Sequence, residues 1–216
     1  MRKMMQAVLC VAASLLVLGL MGCGGGATSA NHKEVADEGD AFATGVHHVS
    51  MRVDGFDPFI IAIDSDNAPL TSSNFLHLVE DGFYDGLVFH RAVDRFCLQG
   101  GSPDGSGSGG SDTSIDGEFS SNNKENPLAD NYARGVVAMS RTNDPNSASS
   151  QFFVTLSNEA APSLNGKYAA FGTIDEEGMA VVDQIVASCV DAADPNSGQI
   201  KDKAKQPVIS QAKVVD

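Results

Sequence analysis

The sequence predicts a mainly β fold, an antiparallel barrel or sandwich of eight short strands accompanied by two helices. Three observations carry this. Short strand-like runs recur from Val49 onward, most of them bounded by Gly, Pro, Asp or Asn. Only two segments show helical spacing of apolar residues. No internal repeat is visible, and many short strands with so few helices exclude a doubly wound sheet.

The first element is an address. Arg2 and Lys3 precede an uncharged run from Ala7 to Met21. A spanning helix needs about 20 residues, and this run is shorter, so residues 1–22 read as a signal peptide. The run ends in Leu20-Met21-Gly22-Cys23, which resembles a bacterial lipobox. The resemblance implies that Cys23 is acylated and becomes the first mature residue. An extracytoplasmic, lipid-anchored bacterial protein is expected. Removal of residues 1–22 takes away two bases and no acid.

Residues 23–47 are small, polar and acidic without an apolar period, and read as a flexible acidic tether of roughly 25 Å root-mean-square length. His32, His47 and His48 lie in or beside it without acidic or cysteine partners at ligand spacing, and read as solvated histidines rather than metal ligands.

The folded domain is expected over 48–216. Its strands are Val49–Val53, Phe59–Ile63, Leu87–Arg91, Phe96–Gln99, Val136–Ser140, Phe152–Leu156, Ala169–Ile174 and Val208–Val215. Between the second and third, Thr71 can cap a helix that places Phe75, Leu78 and Val79 on one face and stops at Gly82. Between the seventh and eighth, a helix over Gly178–Ser188 puts Met179, Val182, Ile185 and Val186 on one face.

The stretch 100–114 is nearly all Gly, Ser and Asp and contains Gly105-x-Gly107-x-x-Gly110. A dinucleotide site needs a helix opening at the last glycine, but Ser111-Asp112-Thr113-Ser114 follows. The segments on either side are too short for separate cores, so this is a long surface loop within one domain.

Composition narrows the function. Of 216 residues, 42% are hydrophobic, enough for a real core. A formal charge of −14, from 28 acids and 14 bases, repels phosphate backbones and argues against general nucleic-acid binding. Cys10, Cys23, Cys97 and Cys189 form no CxxC pair, which excludes a cysteine-rich zinc site. With Cys10 removed and Cys23 acylated, Cys97 and Cys189 are expected as free, mostly buried thiols.

Chemistry concentrates in Phe89-His90-Arg91 and Phe96-Cys97-Leu98-Gln99-Gly100-Gly101. On neighbouring strands joined by a tight turn, Arg91 and Gln99 can lie side by side. Strand alternation predicts that Phe89 and Arg91 share one face while His90 takes the other, and that Gln151 and Phe153 share a face of a third strand. The result is an apolar patch beside one guanidinium and two amides. A hydrolase built on His90 and Cys97 lacks a third residue to orient the base.

These segments resemble the cyclophilin family of peptidyl-prolyl cis–trans isomerases. Besides the two motifs above, the likeness includes Gly117-Glu118-Phe119, Gly135-Val136-Val137-Ala138-Met139 and Asp144-Pro145-Asn146-Ser147-Ala148. It continues through Ser150-Gln151-Phe152-Phe153, Leu164-Asn165-Gly166-Lys167-Tyr168 and Phe171-Gly172. The resemblance implies a closed eight-stranded antiparallel β-barrel capped by two α-helices, with no cofactor and no metal. The catalytic set it implies is Arg91, Phe96 and Gln99, with Gln99 holding Arg91. Substrate contacts would come from Cys97, Ser140, Arg141, Gln151, Phe153, Leu164 and Tyr168, and from His90 at the pocket edge, which reads equally as a packed core histidine.

Proline-containing unfolded or flexible polypeptides are the expected partners, together with a membrane reached through the Cys23 lipid, and the protein is expected to be a monomer. A non-catalytic proline-peptide-binding module is the alternative. Two departures stand out. Cys97 occupies a position where the family often has methionine. Ser163 precedes Leu164 where many eukaryotic members carry a tryptophan that helps bind cyclosporin, so cyclosporin binding is expected to be weak.

Overall fold

The computed structural model describes residues 31–216. The expected signal peptide 1–22, the lipidation of Cys23 and the tether as far as residue 30 lie outside the described residues. Strand β1 (Asn31–Lys33) is followed by β2 (Val46–Val53), β3 (Phe59–Asp64), helix α1 (Pro69–Glu80), β4 (Val88–Val93), β5 (Cys97–Ser102) and β6 (Thr113–Ile115). The short helix α2 (Pro127–Asp130), β7 (Val136–Met139), β8 (Phe152–Thr155), the short helix α3 (Ala161–Leu164), β9 (Ala170–Thr173), α4 (Glu176–Cys189) and β10 (Ile209–Val214) complete the order.

All eight expected strands form one antiparallel sheet in the order β10-β2-β3-β9-β7-β8-β5-β4. Its two edges meet. Ile209 N donates to Leu87 O at 2.8 Å, Phe89 N donates to Pro207 O at 2.9 Å, and Val88 bridges Val208. The barrel is thereby nearly closed, which leaves few unpaired edge groups.

Side-chain alternation decides what lies inside. In β2 the buried Val49, Met51 and Val53 alternate with more exposed residues, the pattern of a strand with one face in the core. β7 and β8 are buried at every position, so both their faces must be covered. Val137, Met139, Phe152 and Val154 join the barrel interior. Val136, Ala138 and Phe153 point the other way, into a second cluster with Cys97, Tyr132, Leu164 and Ala170. The site lies on that outer face.

Helices α1 and α4 bury Leu70, Phe75, Leu76 and Val79, and Met179, Val182, Ile185 and Val186, in the barrel core. Phe75 packs at 4.8 to 5.6 Å from the rings of Phe171, Tyr84 and Phe152. Each such aromatic pair adds about 0.5–1.5 kcal/mol beyond area burial. Helix α1 stops as the sequence predicts: Gly82 has φ +68° and Phe83 N bonds Leu78 O. Its start differs. The helix begins at Pro69, and Thr71 is inside its first turn rather than at the cap. The open N–H groups of Leu70 and Thr71 donate to the Glu118 carboxylate at 3.1 and 2.8 Å, and Thr71 Oγ1 does so at 2.6 Å. A distant glutamate supplies the cap.

The expectation of a flexible tether through residue 47 is corrected for 31–47. β1 pairs in parallel with β6. Asp40 accepts bonds from Ser73 Oγ and His77 Nε2, and Phe42 packs edge-on to the rings of His47 and His77. His32 contacts Ser114 and Asp116, and His47 and His48 face Asp216. These histidines are carboxylate-paired rather than simply solvated. One aromatic anchor and several acids with partners on the barrel hold a segment whose composition alone reads as loose.

Candidate active site

A bulge in β4 sets the geometry. Phe89 stands opposite Gly100 and Arg91 opposite Gln99, so His90 and Arg91 together face a single residue of β5. Phe89 therefore stays inside the barrel, 5.9 Å from the Phe152 ring, while Arg91 emerges outside beside Cys97 and Gln99. The expectation that Phe89 and Arg91 share a face is corrected: the extra residue shifts the alternation. Gly100 permits this, because a Cβ there would lie 3.0 Å from the Phe89 ring.

Arg91 is held on three sides. Nε donates to Ser197 O at 2.7 Å, and Nη1 reaches Cys97 Sγ at 2.9 Å and Gln99 Oε1 at 3.3 Å. Its Cζ lies 5.9 Å from the Phe96 ring centre. A guanidinium carries five N–H donors. Both N–H groups of Nη2 remain without a partner among the described residues.

The amides of Gln99 and Gln151 continue the network. Gln99 Nε2 donates to Ser140 Oγ at 3.1 Å and Gln151 Oε1 at 3.0 Å. Gln151 Nε2 donates to the carbonyls of Gly107 and Gly109 at 3.0 and 2.7 Å. The glycine-rich loop is thus part of the site's scaffold.

An apolar wall stands beside Arg91. Cys97, Phe153 and Leu164 are buried in the outer cluster, with partly exposed Phe96 and Tyr168 packed against them. Phe153 meets Tyr168 edge-on at 5.6 Å and stacks on Tyr132 at 6.4 Å. Sequence reasoning missed Tyr132 and Ser197, which come from segments without strand or helix period, and quoted Phe119 only within Gly117-Glu118-Phe119, without a site role. Tyr132 supports the wall through its hydroxyl, which donates to Tyr168 O at 3.0 Å.

At the far side of Tyr168, Arg141 has its Cζ 4.8 Å from that ring and 5.2 Å from Phe119. Its Nε donates to Lys167 O at 2.9 Å and its Nη1 to Thr142 O at 2.8 Å.

Of the two readings that the sequence leaves open for His90, the structure favours the packed one. The residue is 1% exposed, and a Cβ on Gly107 would sit 3.1 Å from its ring, so the loop covers it. Burial, and then the neighbouring Arg91, lower its pKa to about 4. It is a neutral packing residue behind Arg91. Cys97 and Cys189 are free and buried, in separate clusters. Burial pushes the Cys97 thiol up to about 11, against the opposing pull of Arg91. A thiol so held is a poor nucleophile.

Among the described residues no group of three or more His, Cys, Asp or Glu side chains is placed to hold a metal. The site therefore offers one fixed guanidinium with free donors, two oriented amides and an apolar wall. That set suits stabilising charge on a bound group beside a desolvated ring.

Comparison with known proteins identifies the family and the fold. The sequence model described as "Cyclophilin type peptidyl-prolyl cis-trans isomerase/CLD" matches residues 48–214. "Peptidyl-prolyl cis-trans isomerase-like 1" of Rhizopus delemar is 41% identical over 60% of this chain and 74% of its own length. "Peptidyl-prolyl cis-trans isomerase ppi1" of Schizosaccharomyces pombe is 40% identical over 53% and 70%. Among solved structures, a cyclophilin-type isomerase of Cryptosporidium parvum superposes with a TM-score of 0.66 at 26% identity, covering 80% of this chain and 99% of that one. The same protein in the presence of the dipeptide Ala-Pro gives 0.64 at 26% identity, over 78% and 99%.

Proposed function

Because the chain belongs to the cyclophilin-type peptidyl-prolyl cis–trans isomerase family and is an isomerase of Xaa-Pro bonds, we propose that Arg91 is the group that carries the reaction. The amide is held planar by resonance behind a barrier of about 18–20 kcal/mol. No bond is made or broken, so neither nucleophile nor redox group has a role. As the bond twists, the proline nitrogen regains its lone pair. The observation that carries the proposal is the donor count at Arg91: Nε and Nη1 are tied to Ser197, Cys97 and Gln99, which holds the fork still with Nη2 free. One donor aimed at developing charge is worth about 3–4 kcal/mol, or roughly 10²–10³ in rate.

The wall of Phe96, Cys97, Phe153, Leu164 and Tyr168 takes the proline ring in this reading. An apolar surround also disfavours the planar amide, which is more polar than the twisted one. Ser140, Arg141 and Gln151 bind the flanking peptide.

The test is cis-to-trans exchange of an Ala-Pro-Phe peptide, followed by NMR with residues 31–216 and with Arg91→Ala. Fast exchange that drops by two to three decades in the variant, with the fold kept, supports the proposal. Full activity in Arg91→Ala overturns it. A folded wild type without acceleration turns the reading to a proline-peptide-binding module.

The biological setting follows from the N-terminal sequence. An isomerase acylated at Cys23 stands where exported chains emerge unfolded, and uncatalysed proline isomerisation takes tens of seconds. Assistance to exported proteins at the outer face of a membrane is the role this supports. With 31–47 packed on the domain, only residues 24–30 separate the packed segment from Cys23 in the sequence. Cys23→Ala should release the protein from membranes, and persistent association would count against the lipid anchor.

A further inference from the structure

We propose that Arg141 makes this isomerase select polypeptides with a carboxylate side chain close to the proline. The inference rests on the reading that the proline occupies the Phe153–Tyr168 wall. It begins from charge. Five of the twelve Lys and Arg side chains among the described residues, those of Lys33, Arg95, Lys124, Arg134 and Lys201, pair with a carboxylate. Arg141 is one of the seven that do not, and among those it and Arg91 are the two whose guanidinium lies against the aromatic wall.

What holds Arg141 instead is neutral. Two backbone carbonyls, of Lys167 and Thr142, take its Nε and Nη1, and the rings of Phe119 and Tyr168 lie against its guanidinium at 5.2 and 4.8 Å. Such contacts fix the position of a charge without neutralising it. Of its five donors, one on Nη1 and both on Nη2 remain, the pair of nitrogens that grips a carboxylate end-on.

The location gives the fork its meaning. Tyr168, under Arg141, is the ring that meets Phe153 in the wall. Ser140, the preceding residue, accepts from Gln99, which in turn holds Arg91. Arg141 therefore borders the same wall as Arg91 and is tied to the same network. Lys167 adds a second cation on this rim, its Nζ bonded among the described residues to Ser163 O alone. The overall negative field opposes acidic chains at long range. It is screened beyond about 8 Å at 0.15 M salt, whereas a contact pair is screened far less.

The experiment uses the full chain and a peptide series around Ala-Pro-Phe. Glu or Gln is placed singly at each of the two residues before and the two after proline, and kcat/KM is measured by NMR exchange at about 0.15 M salt. At one position or more, wild type should prefer Glu over Gln by about 3–10-fold. Arg141→Gln should bring that ratio to about one, and Arg141→Lys should keep part of it, since lysine has the charge without the fork. Reading a ratio within each variant removes any general loss of activity. A ratio near one everywhere in wild type, or a preference that survives in Arg141→Gln, overturns the proposal. Absence of turnover of every peptide by the wild type would overturn the isomerase reading and this proposal with it.

Discussion

Gln99 donates its Nε2 to Gln151 Oε1 at 3.0 Å, and the direction of that bond is set from outside the pair. Gln151 Nε2 faces the carbonyls of Gly107 and Gly109, which can only accept. Its oxygen must then face Gln99, and the Gln99 oxygen is left for Arg91 Nη1. Two backbone carbonyls of the glycine-rich loop so determine the polarity of a relay that ends on the guanidinium.

Gln151→Glu should break that relay with little change in volume. A carboxylate there has no N–H for the loop carbonyls and repels them. We expect kcat/KM to fall at least about tenfold, equivalent to about 1.4 kcal/mol, with the melting temperature nearly kept. Unchanged turnover would show that Arg91 is held well enough by Ser197 and Cys97 alone.

Burial of His90 couples stability to pH. Its pKa is about 4 in the fold against an ordinary 6.5, so the folded state prefers the neutral ring. The unfolded chain takes up the proton first as pH falls. Stability is therefore full above about 6.5 and is lost progressively towards pH 4, by about 3 kcal/mol at most. The urea midpoint of wild type should drop between pH 7 and 4.5 more than that of His90→Leu. Parallel slopes for the two proteins would refute this.

Two glycines of the same segment should respond differently to alanine. Gly101 has φ +84°, and a Cβ there would lie 2.4 Å from Ser150 O, a backbone atom that cannot step aside. Gly109 also has positive φ but open space around it. Gly109→Ala should cost about 1 kcal/mol from the backbone alone, and Gly101→Ala at least about 3 kcal/mol. Thermal melts that rank them equally would rule out the steric argument.

Cyclosporin should inhibit weakly. Ser163, the residue before Leu164, is exposed and folds its hydroxyl back onto Ala160 O at 2.7 Å, and the chain has no tryptophan. No broad ring is offered at that rim. Sub-micromolar inhibition in a dose–response assay would contradict this.

What the sequence revealed and what it hid follow from the range of the interactions. Val49, Met51 and Val53 show their buried face by alternation, and Gly82 ends α1 through its own backbone, so both are legible locally. The fate of His90 is not, because a bulge is a property of two paired strands, and only the register of β4 on β5 creates it. Nor is the packing of 31–47, where Asp40 and Phe42 depend on His77 of α1. Arg91 and Gln99 were legible as neighbours, while Ser197, the third support of the arginine, lies 106 residues away in a loop. The outer wall was half visible: Phe153 stands in a strand, but Tyr132 comes from an irregular segment.

The same reasoning gives a final test at Glu118, where a distant side chain does what a local cap would do. Its carboxylate takes Leu70 N, Thr71 N and Thr71 Oγ1 at the start of α1, where helix donors are otherwise unpaired. Those three donors favour the ionised form, yet burial outweighs them and raises the pKa above its ordinary 4.5. The sign is opposite to that of His90. The contribution is full below about 4.5 and declines as pH rises through the higher folded value. Glu118→Gln keeps the shape but turns an N–H₂ towards donors and removes the titration. It should lower stability at pH 7 by about 2 kcal/mol, and the pH-dependent difference from wild type should grow on mild acidification, because only the wild type gains from the proton. A variant that unfolds at the same urea concentration as wild type at pH 7 would mean that α1 starts without this anchor.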